Sequence, residues 1–465
     1  MPIVLRPYQI EAKNLIRASM KNGNKSILYV APCASGKTTI FSDLASTITA
    51  NGKRVFLITH RDELITQVSD TLKLFGVDHG FIQSGKFMDY KPLAHVCSVQ
   101  TLSRRLGKIS FKPSVIIVDE SHHSCSASYK KIFSAYPTWR IGVTATPQRL
   151  DGKGLGEVFE NLIIGPTMAQ LIAEGWLSPY KLYAPSLIDT SKLHTRLGDF
   201  AIDEASKAAD KPKITGDAIA HYKKYADGLR AVVYCCSVEH AKHTADQFSA
   251  AGYKAASIDG GMDADLRHTV VKAFRQGGIT ILTSCEIVSE GFDLPAIECA
   301  IFLRPTQSLS MWIQMSGRAL RIMEGKKVAV LLDHAGNCQR LGFPDDDRNW
   351  SLAGAERAGS GASKPGVRIC PKCLLAQRPG LEACPSCKYV WPVKSRQVDT
   401  VDGELVEAAP EIIPAGKHEF FKEMNVKEIH DWAIKKGYQE TKAWRFAYFI
   451  RQERQKHKLA QGVAA

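Results

Sequence analysis

The sequence predicts an α/β protein of two tandem lobes, each built on a parallel sheet, followed by a small four-cysteine module and a short helical C-terminal segment. Short apolar, β-branched runs alternate with longer helix-like stretches over roughly the first 340 residues. Such short runs, bounded by turn residues, are typical of parallel strands covered on both faces. The runs form two series: Ser26–Val30, Val55–Thr59, Val115–Val118 and Ile141–Thr144, then Ala231–Tyr234, Ala255–Ile258, Thr280–Leu282, Ala300–Leu303 and Val328–Leu332.

Changes of composition along the chain predict its domain boundaries. We expect the first lobe at residues 1–180, a weakly patterned connection at 181–225 and the second lobe at 226–345. Acidic, glycine and proline residues indicate linkers at 346–366 and 394–416. Between the linkers lies the cysteine module at 367–393, and a basic, aromatic helical segment follows at 417–465.

The overall composition favours a cytoplasmic protein with a polyanionic partner. Lys and Arg exceed Asp and Glu by 61 to 47, which leaves a net charge of +14. A surplus of this sign suits nucleic acid, although a basic enzyme without such a partner has the same composition. We see no membrane-spanning run and no signal peptide. Eight of the 12 cysteines are scattered, mostly in apolar stretches, which indicates buried reduced thiols.

A phosphate-binding loop follows the first predicted strand. The segment Ala31-Pro32-Cys33-Ala34-Ser35-Gly36-Lys37-Thr38 opens a helix, whose first backbone N–H groups attract an anion. Lys37 is placed to reach the β and γ phosphates of ATP, and the Thr38 hydroxyl to hold Mg²⁺. Ala31 stands where the general pattern has a glycine. The candidate nucleotide-binding residues here are Ala34, Ser35, Gly36, Lys37, Thr38 and Thr39.

A pair of carboxylates follows another buried strand of the first lobe. Asp119 and Glu120 come directly after Val115–Val118, at the end of a strand where ligands of parallel sheets bind. We expect Asp119 to hold Mg²⁺ and Glu120 to orient and deprotonate the attacking water. Acidic residues also follow strands as helix caps, but an upstream phosphate loop in the same lobe makes the catalytic interpretation stronger.

The ordered motifs resemble those of superfamily 2 helicases of the DExH type. Asp119-Glu120-Ser121-His122 is similar to their Walker B box, and Thr144-Ala145-Thr146-Pro147 to the box that links hydrolysis to lobe movement. The Leu5–Gln9 segment resembles the one that reads adenine. The resemblance implies two RecA-like lobes, and it adds Arg6, Gln9 and His122 to the expected nucleotide contacts. Cys33 and Ala34 replace the commoner Thr-Gly of the family's loop.

The second lobe carries the remaining family boxes, from which further site residues are inferred. Gln314, Arg318 and Arg321 lie on one face of a predicted helix. By resemblance Arg321 is the arginine finger, Arg318 a second phosphate contact and Gln314 a water-positioning partner of His122. The box that ends in Glu290–Pro295 adds Gly291 and Asp293 to the nucleotide contacts. The candidates for contacts to a nucleic-acid backbone are Arg61, Thr101, Ser237 and Thr283.

The four clustered cysteines predict a structural zinc site. Cys370 and Cys373 form one Cys-x₂-Cys pair, and Cys384 and Cys387 form the second. Two such pairs complete a closed Cys₄ tetrahedron around Zn²⁺. A redox pair is the alternative. Whether nearby cations and aromatic residues bind nucleic acid or complete a miniature core stays open.

The function favoured by this sequence is that of an ATP-dependent DNA helicase or translocase. The downstream Cys₄ ribbon resembles the RadD-like group of bacterial and phage helicases in DNA repair. We expect single-stranded or branched DNA as partner, and a protein partner at the ribbon or the C-terminal helices as a further candidate. The alternatives are the motor subunit of a restriction system, an RNA helicase, and an ATP-gated clamp that binds nucleic acid without unwinding it.

Overall fold

The computed structural model describes residues 3–149, 152–185, 188–196, 198–285, 297–354, 366–392, 421 and 423–460. Residues 3–392 belong to one compact unit, and residues 421–460 belong to a second. Among the described residues, no helix has both the length and the hydropathy that crossing a bilayer requires.

The first lobe is built on a seven-stranded parallel sheet of order β3-β4-β2-β5-β6-β1-β7. Its strands are β1 (Ser26–Val30), β2 (Val55–Thr59), β3 (His79–Ile82), β4 (Ala94–Ser98), β5 (Val115–Val118), β6 (Trp139–Thr144) and β7 (Asn161–Ile164). Its helices are α1 (Pro7–Lys21), α2 (Lys37–Ala50), α3 (Asp62–Leu74), α4 (Val99–Arg105) and α5 (Ala127–Ala135). The central strands β1, β2 and β5 are buried at every position, because helices cover both faces of the sheet.

The second lobe repeats this plan with a six-stranded parallel sheet of order β12-β13-β11-β14-β15-β8. Its strands are β8 (Tyr180–Tyr183), β11 (Ala231–Tyr234), β12 (Ala255–Ile258), β13 (Ile281–Ser284), β14 (Cys299–Phe302) and β15 (Ala329–Asp333). A separate two-stranded ribbon pairs β9 (Thr195–Arg196) with β10 (Asp199–Phe200). The helices are α6 (Met168–Ala173), α7 (Ile202–Ala209), α8 (Pro212–Tyr225), α9 (Val238–Ala250), α10 (Ala264–Arg275), α11 (Leu309–Ala319) and α12 (Asn337–Leu341). The predicted class of two parallel-sheet lobes is confirmed.

The cysteine module packs against the edge of the second sheet. Its short strands β16 (Arg368–Ile369) and β17 (Ala376–Gln377) are antiparallel. The Ala184 N–H, just after edge strand β8, donates to the Leu374 carbonyl at 2.9 Å, and Cys370 and Cys384 are buried in the apolar core of the second lobe. The module therefore covers a strand edge that would otherwise expose unpaired backbone groups.

Between the second lobe and the module, the chain returns to the first lobe. We call residues 343–354 the return strap. Leu352 and Trp350 pack against an apolar cluster of the first lobe, and the Gly156 N–H donates to the Leu352 carbonyl at 2.9 Å. Gly154 admits this contact because a Cβ there would lie 2.0 Å from the Leu352 carbonyl oxygen. The strap attaches the end of the second lobe to the first.

The second unit contains a helical hairpin of α13 (Val426–Lys435) and α14 (Glu440–Ala460). The Asn425 side chain caps α13 by accepting from the Glu428 N–H at 3.0 Å. The Glu428 carboxylate in turn accepts from the Asn425 N–H. A small core of Phe421, Ile429, Ala447 and Ile450 holds the two helices together.

Candidate functional site

The loop between β1 and α2 has the backbone shape of an anion cradle. Ala34 and Gly36 adopt left-handed φ angles of 67° and 75°, and α2 begins at Lys37. A Cβ at Gly36 would lie 2.5 Å from the Gln9 Nε2 atom, so position 36 needs glycine for both its φ angle and its space. The Lys37 ammonium donates to the Ala31 and Pro32 carbonyls at 3.4 and 3.3 Å, which holds it over the loop.

Helix α1 supports this loop from behind. The Tyr8 hydroxyl donates to the Ser35 carbonyl at 2.8 Å, and the Gln9 amide donates to the same oxygen at 3.3 Å. The Gln9 Oε1 atom also accepts from the Arg6 N–H at 2.9 Å, and the Arg6 guanidinium lies 4.9 Å from the Trp176 ring centroid. Arg6 and Gln9, the expected adenine contacts, therefore brace the loop and the start of α1 in this structure.

The two carboxylates follow β5 without interruption. Asp119 is buried, and its Oδ1 atom accepts from the Glu120 N–H at 2.9 Å. Burial, together with the neighbouring Glu120 carboxylate, raises the pKa of Asp119 to about 6, and the Lys37 ammonium acts in the opposite direction. Glu120 has a φ of 46°, a left-handed conformation that is costly for a side chain of this kind. Such strain is characteristic of functional sites.

His122 connects the acid pair to the end of β6. Its Nδ1 atom lies 3.3 Å from the Glu120 Oε2 atom and 3.4 Å from the Thr144 hydroxyl. The Thr144 hydroxyl in turn donates to the Thr146 carbonyl at 3.0 Å. His122 thus joins the Glu120 carboxylate to the segment expected to link hydrolysis to lobe movement.

One cleft of about 270 Å³ brings together polar groups from both lobes. Helix α11 supplies Gln314, which is 4% exposed and whose amide nitrogen has no hydrogen-bond partner among the described residues. The cleft is lined by Cys33, Ala34, Gly36, Lys37, Thr38, Thr39, Leu64, Gln67, Thr71, Asp119 and Glu120 of the first lobe, and by Gln314, Gly317, Arg318 and Arg321 of the second.

Most of the predicted nucleotide contacts therefore meet in a single place. The predicted residues that do not line this cleft are Arg6, Gln9, Ser35 and His122, which lie behind the loop or behind the acid pair. Gly291 and Asp293 lie outside the described residues.

Two contacts across the lobe interface were missed by the sequence analysis. The Thr146 hydroxyl donates to the Ser310 hydroxyl in the first turn of α11 at 2.8 Å. Near the end of the same helix, a Cβ at Gly317 would lie 2.6 Å from the Cys33 Cβ atom. No sequence pattern marks these pairs, because their members are 164 and 284 residues apart (the second by 317 − 33).

The four candidates for nucleic-acid contacts differ in exposure. The Thr283 side chain is fully buried, and its hydroxyl donates to the Ala241 carbonyl at 2.7 Å. Thr101 is 9% exposed within α4. Ser237 caps α9 and lies 2.9 Å from the Ser206 hydroxyl. Arg61, directly before α3, is partly exposed. The structure thus places Thr283 differently from the expectation, because its hydroxyl is used inside the lobe.

The four clustered cysteines converge as the spacing predicts. Their Sγ atoms lie within 4.8 Å of one another, with 3.5 Å between Cys370 and Cys387 and 3.6 Å between Cys373 and Cys384. Four thiolates about 2.3 Å from a tetrahedral Zn²⁺ would be about 3.8 Å apart. The donor set and its spacing therefore fit one zinc ion.

Two family models match the motor region. The model described as "Type III restriction enzyme, res subunit" matches residues 2–149, and the "Helicase conserved C-terminal domain" matches residues 210–323. A 51.5 kDa protein of a Lactococcus phage is 33% identical over 348 residues, which cover 74% of this chain and 73% of the phage protein. Saccharomyces cerevisiae IRC3, whose name describes an ATP-dependent helicase, is 29% identical over 355 residues. The chain belongs to the superfamily 2 helicases of the DExH type.

Other similarities extend over the same part of this helicase. The match covers 72% of this chain but 52% of IRC3, so the helicase spans about half the length of the yeast protein. The DNA 3'-5' translocase XPB2 of Sulfurisphaera tokodaii is 24% identical, with 71% of this chain and 81% of that protein covered. A fragment of an HsdR subunit of a type I restriction enzyme from Vibrio vulnificus has a TM-score of 0.59 at 21% identity, over 74% of this chain and 66% of the fragment. This likeness confirms the RecA-like fold.

Proposed function

We propose that this helicase hydrolyses Mg·ATP in the cleft between its lobes and uses the resulting opening and closing to move along DNA. The observation that carries the proposal is the meeting of Lys37, Asp119 and Glu120 of one lobe with Arg318 and Arg321 of the other around a single cleft. Because the γ-phosphate would contact both lobes, ATP stabilises the closed state and hydrolysis releases it.

The residues divide the chemistry between them. The backbone N–H groups of the phosphate-binding loop and the Lys37 ammonium bind the phosphates. Thr38 and Asp119 would hold Mg²⁺, which neutralises phosphate charge. Glu120 accepts a proton from the attacking water, and His122 holds the Glu120 carboxylate from behind at 3.3 Å. Gln314, whose buried amide nitrogen has no hydrogen-bond partner in the described part of the chain, orients the same water. Arg321 and Arg318 stabilise the charge that develops on the transferred phosphoryl group.

DNA is the proposed track. Its support is the net charge of +14 and the similarity to a protein named as a DNA translocase. Arg61 is the proposed contact of the first lobe to the phosphate backbone, and contacts of this kind carry no sequence information. We therefore expect little sequence preference. A role in repair, recombination or replication is proposed from the resemblance of the motor and its cysteine module to RadD-like helicases.

The cysteine module is proposed to hold one structural Zn²⁺ at Cys370, Cys373, Cys384 and Cys387. The ion would supply cross-linking of the two cysteine pairs, and all four positions of a tetrahedron would be taken by protein, which leaves none for catalysis. Its support is the sulfur spacing and the burial of Cys370 and Cys384 in the second lobe.

A nucleic-acid panel tests the proposed function. ATP turnover is measured without nucleic acid and with single-stranded DNA, forked DNA, duplex DNA and RNA, and strand displacement is followed on the fork. We expect DNA to stimulate turnover and a Lys37→Ala variant to lose turnover with every substrate. Binding with little stimulation and no displacement would instead indicate a clamp, and stimulation by RNA alone would indicate an RNA helicase.

A further inference from the structure

The C-terminal hairpin divides its aromatic side chains between two faces. Phe421 is 4% exposed, and Trp432 and Phe446 pack with it against the small core. Trp444 and Tyr448 of α14 point outward instead, with 38% and 53% of their surface exposed. Exposed aromatic side chains placed together on one face are a feature of binding surfaces, because such rings offer apolar area to a ligand.

The rings of Trp444 and Tyr448 form an ordered platform. Trp444 and Tyr448 are four residues apart on α14 and therefore lie on the same face of the helix. Their ring centroids are 6.2 Å apart with an interplanar angle of 36°. The buried face of the indole stacks on His430 of α13 at 4.0 Å and 25°. His430 thus fixes the indole, and a ligand that stacks on it loses little side-chain entropy.

Positive charge surrounds this platform. Arg445 and Arg451 are exposed. Arg445 is three residues before Tyr448 and Arg451 is seven residues after Trp444, so both border the same face of α14. Between Glu440 and Gln452 the only acidic residue is Glu440, against Lys442 and the two arginines. Aromatic rings between cations complement a ligand that offers flat bases on a phosphate backbone.

We propose that this face of α14 is a second binding site, for single-stranded DNA, separate from the track across the motor lobes. Exposed bases stack on Trp444 and Tyr448, and Arg445 and Arg451 contact the adjoining phosphates. Duplex DNA is a poorer ligand, because its bases are stacked on one another and present no free face. The proposal rests on the proposed function only in its choice of DNA as the polymer.

Equilibrium binding of oligo-dT to the full-length protein, without ATP, tests the site. Alanine in place of a stacking ring weakens single-strand binding by about five- to 150-fold per base. We therefore expect Trp444→Ala and Tyr448→Ala each to raise the Kd at least about fivefold, and Trp444→Phe to retain most of the affinity. Changing Arg445 and Arg451 together to Gln should reduce the slope of log Kd against log salt by about 1.4.

Matched controls separate this site from the motor and from the fold. Tyr90→Ala removes a ring that is 45% exposed on the first lobe and should leave oligo-dT affinity unchanged. Tyr448→Ala keeps the His430–Trp444 stack, so the hairpin should melt as in the unmodified protein. Unchanged affinity in the Trp444→Ala, Tyr448→Ala double variant would overturn the proposal and assign the face to a protein partner; an equal loss for duplex DNA would also overturn it. A failed motor proposal would appear separately, as absent ATP turnover in the unmodified protein.

Discussion

The two lobes share one sheet plan but build their halves of the cleft differently. In the first lobe the polar groups follow strand ends: the phosphate loop after β1, the carboxylates after β5 and Thr144 at the end of β6. In the second lobe Gln314 and Arg318 project from a single helix, α11, and Arg321 follows its last turn. The backbone of the sheet itself positions the polar groups of the first lobe. The polar groups of the second lobe reach the cleft only when α11 packs against the first lobe.

This difference separates two kinds of defect. A change at a strand end of the first lobe removes chemistry whether or not the lobes close. A substitution on α11 or at its contacts acts through the closed state. The loss of activity therefore depends on how much the substitution disturbs the packing of the two lobes.

The largest expected effect is on the first-lobe groups. Lys37→Ala should abolish ATP turnover because the phosphates lose their cation. Glu120→Gln should lower kcat by at least about a thousandfold, since an amide cannot accept the proton of the attacking water. Steady-state ATPase assays measure both, with circular dichroism to show an intact fold. Normal turnover in either variant would refute the assignment of the site.

Arg321→Ala should lower kcat by at least about a hundredfold and leave ATP binding intact. A guanidinium supplied across an interface acts on the transition state and contributes about 10³–10⁵ in rate in related phosphoryl transfers. Single-turnover hydrolysis and nucleotide binding are compared in the same variant. An unaffected rate would exclude Arg321 as the finger, and a rate lost together with ATP affinity would indicate a role in binding.

Gly317→Ala should obstruct closure, because its Cβ would lie 2.6 Å from the Cys33 Cβ atom. Overpacking of this kind costs about 1–3 kcal/mol, or about five- to 150-fold in the population of the closed state. ATP turnover should fall accordingly, and Cys33→Gly in the same chain should restore most of it. The matched control is Cys33→Gly alone, which should remain active. Failure of the rescue would show that Gly317 is needed for another reason.

Replacement of Cys384 and Cys387 by Ser should remove one zinc per chain and destabilise the second lobe. The reason is that the cysteine module contributes side chains to the core of that lobe and covers strand β8. Metal analysis and thermal unfolding measure the two effects. Cys125→Ser, at a partly exposed cysteine of the first lobe, is the control and should retain the zinc. A chain purified without zinc but with unchanged stability would contradict this prediction.

The smallest expected effect is at the other end of α11. Ser310→Ala removes one hydrogen bond between the lobes, worth about 1 kcal/mol and therefore about fivefold in closure. Thr146→Val should have a similar effect, and the double variant should be little worse than either single one. ATP turnover in this four-variant cycle measures the coupling. Additive losses would mean that the two hydroxyl groups act independently.

Local sequence predicted most of the central strands and the polar groups at their ends. The segments Ser26–Val30, Val55–Thr59 and Ala231–Tyr234 match β1, β2 and β11 to the residue, because fully buried parallel strands are continuous apolar runs. It missed β4, an inner strand that is buried at every position. It also missed β3, β7 and β8, which are four-residue edge strands with polar members whose pairing is decided by tertiary contacts. Short strands of this kind have too little pattern to distinguish them from loops.

For the candidate site, as for the fold, the sequence predicted the local features but not the contacts between distant segments. Motif spacing identified the groups of each lobe, since phosphate loops and strand-end carboxylates are local signals. It did not reveal that Gln9 supports the loop backbone or that the Thr283 hydroxyl is used internally, because both follow from packing between distant segments. The division of the C-terminal aromatic residues was not predicted either, since α14 carries aromatic residues on both its buried and its exposed faces.

The return strap gives the motor a second, non-covalent connection between its lobes, made by packing and a backbone hydrogen bond on the first lobe. The chain passes from the first lobe to the second between β7 and β8, and residues 343–354 bring it back to pack on the first. Two bodies joined at one point swivel freely, whereas a second attachment confines them to a hinge-like path. When the lobes are open, Arg318 and Arg321 therefore stay near the phosphate-binding loop, at a high effective concentration. Closing again after each hydrolysis is then an intramolecular step with a low entropic cost.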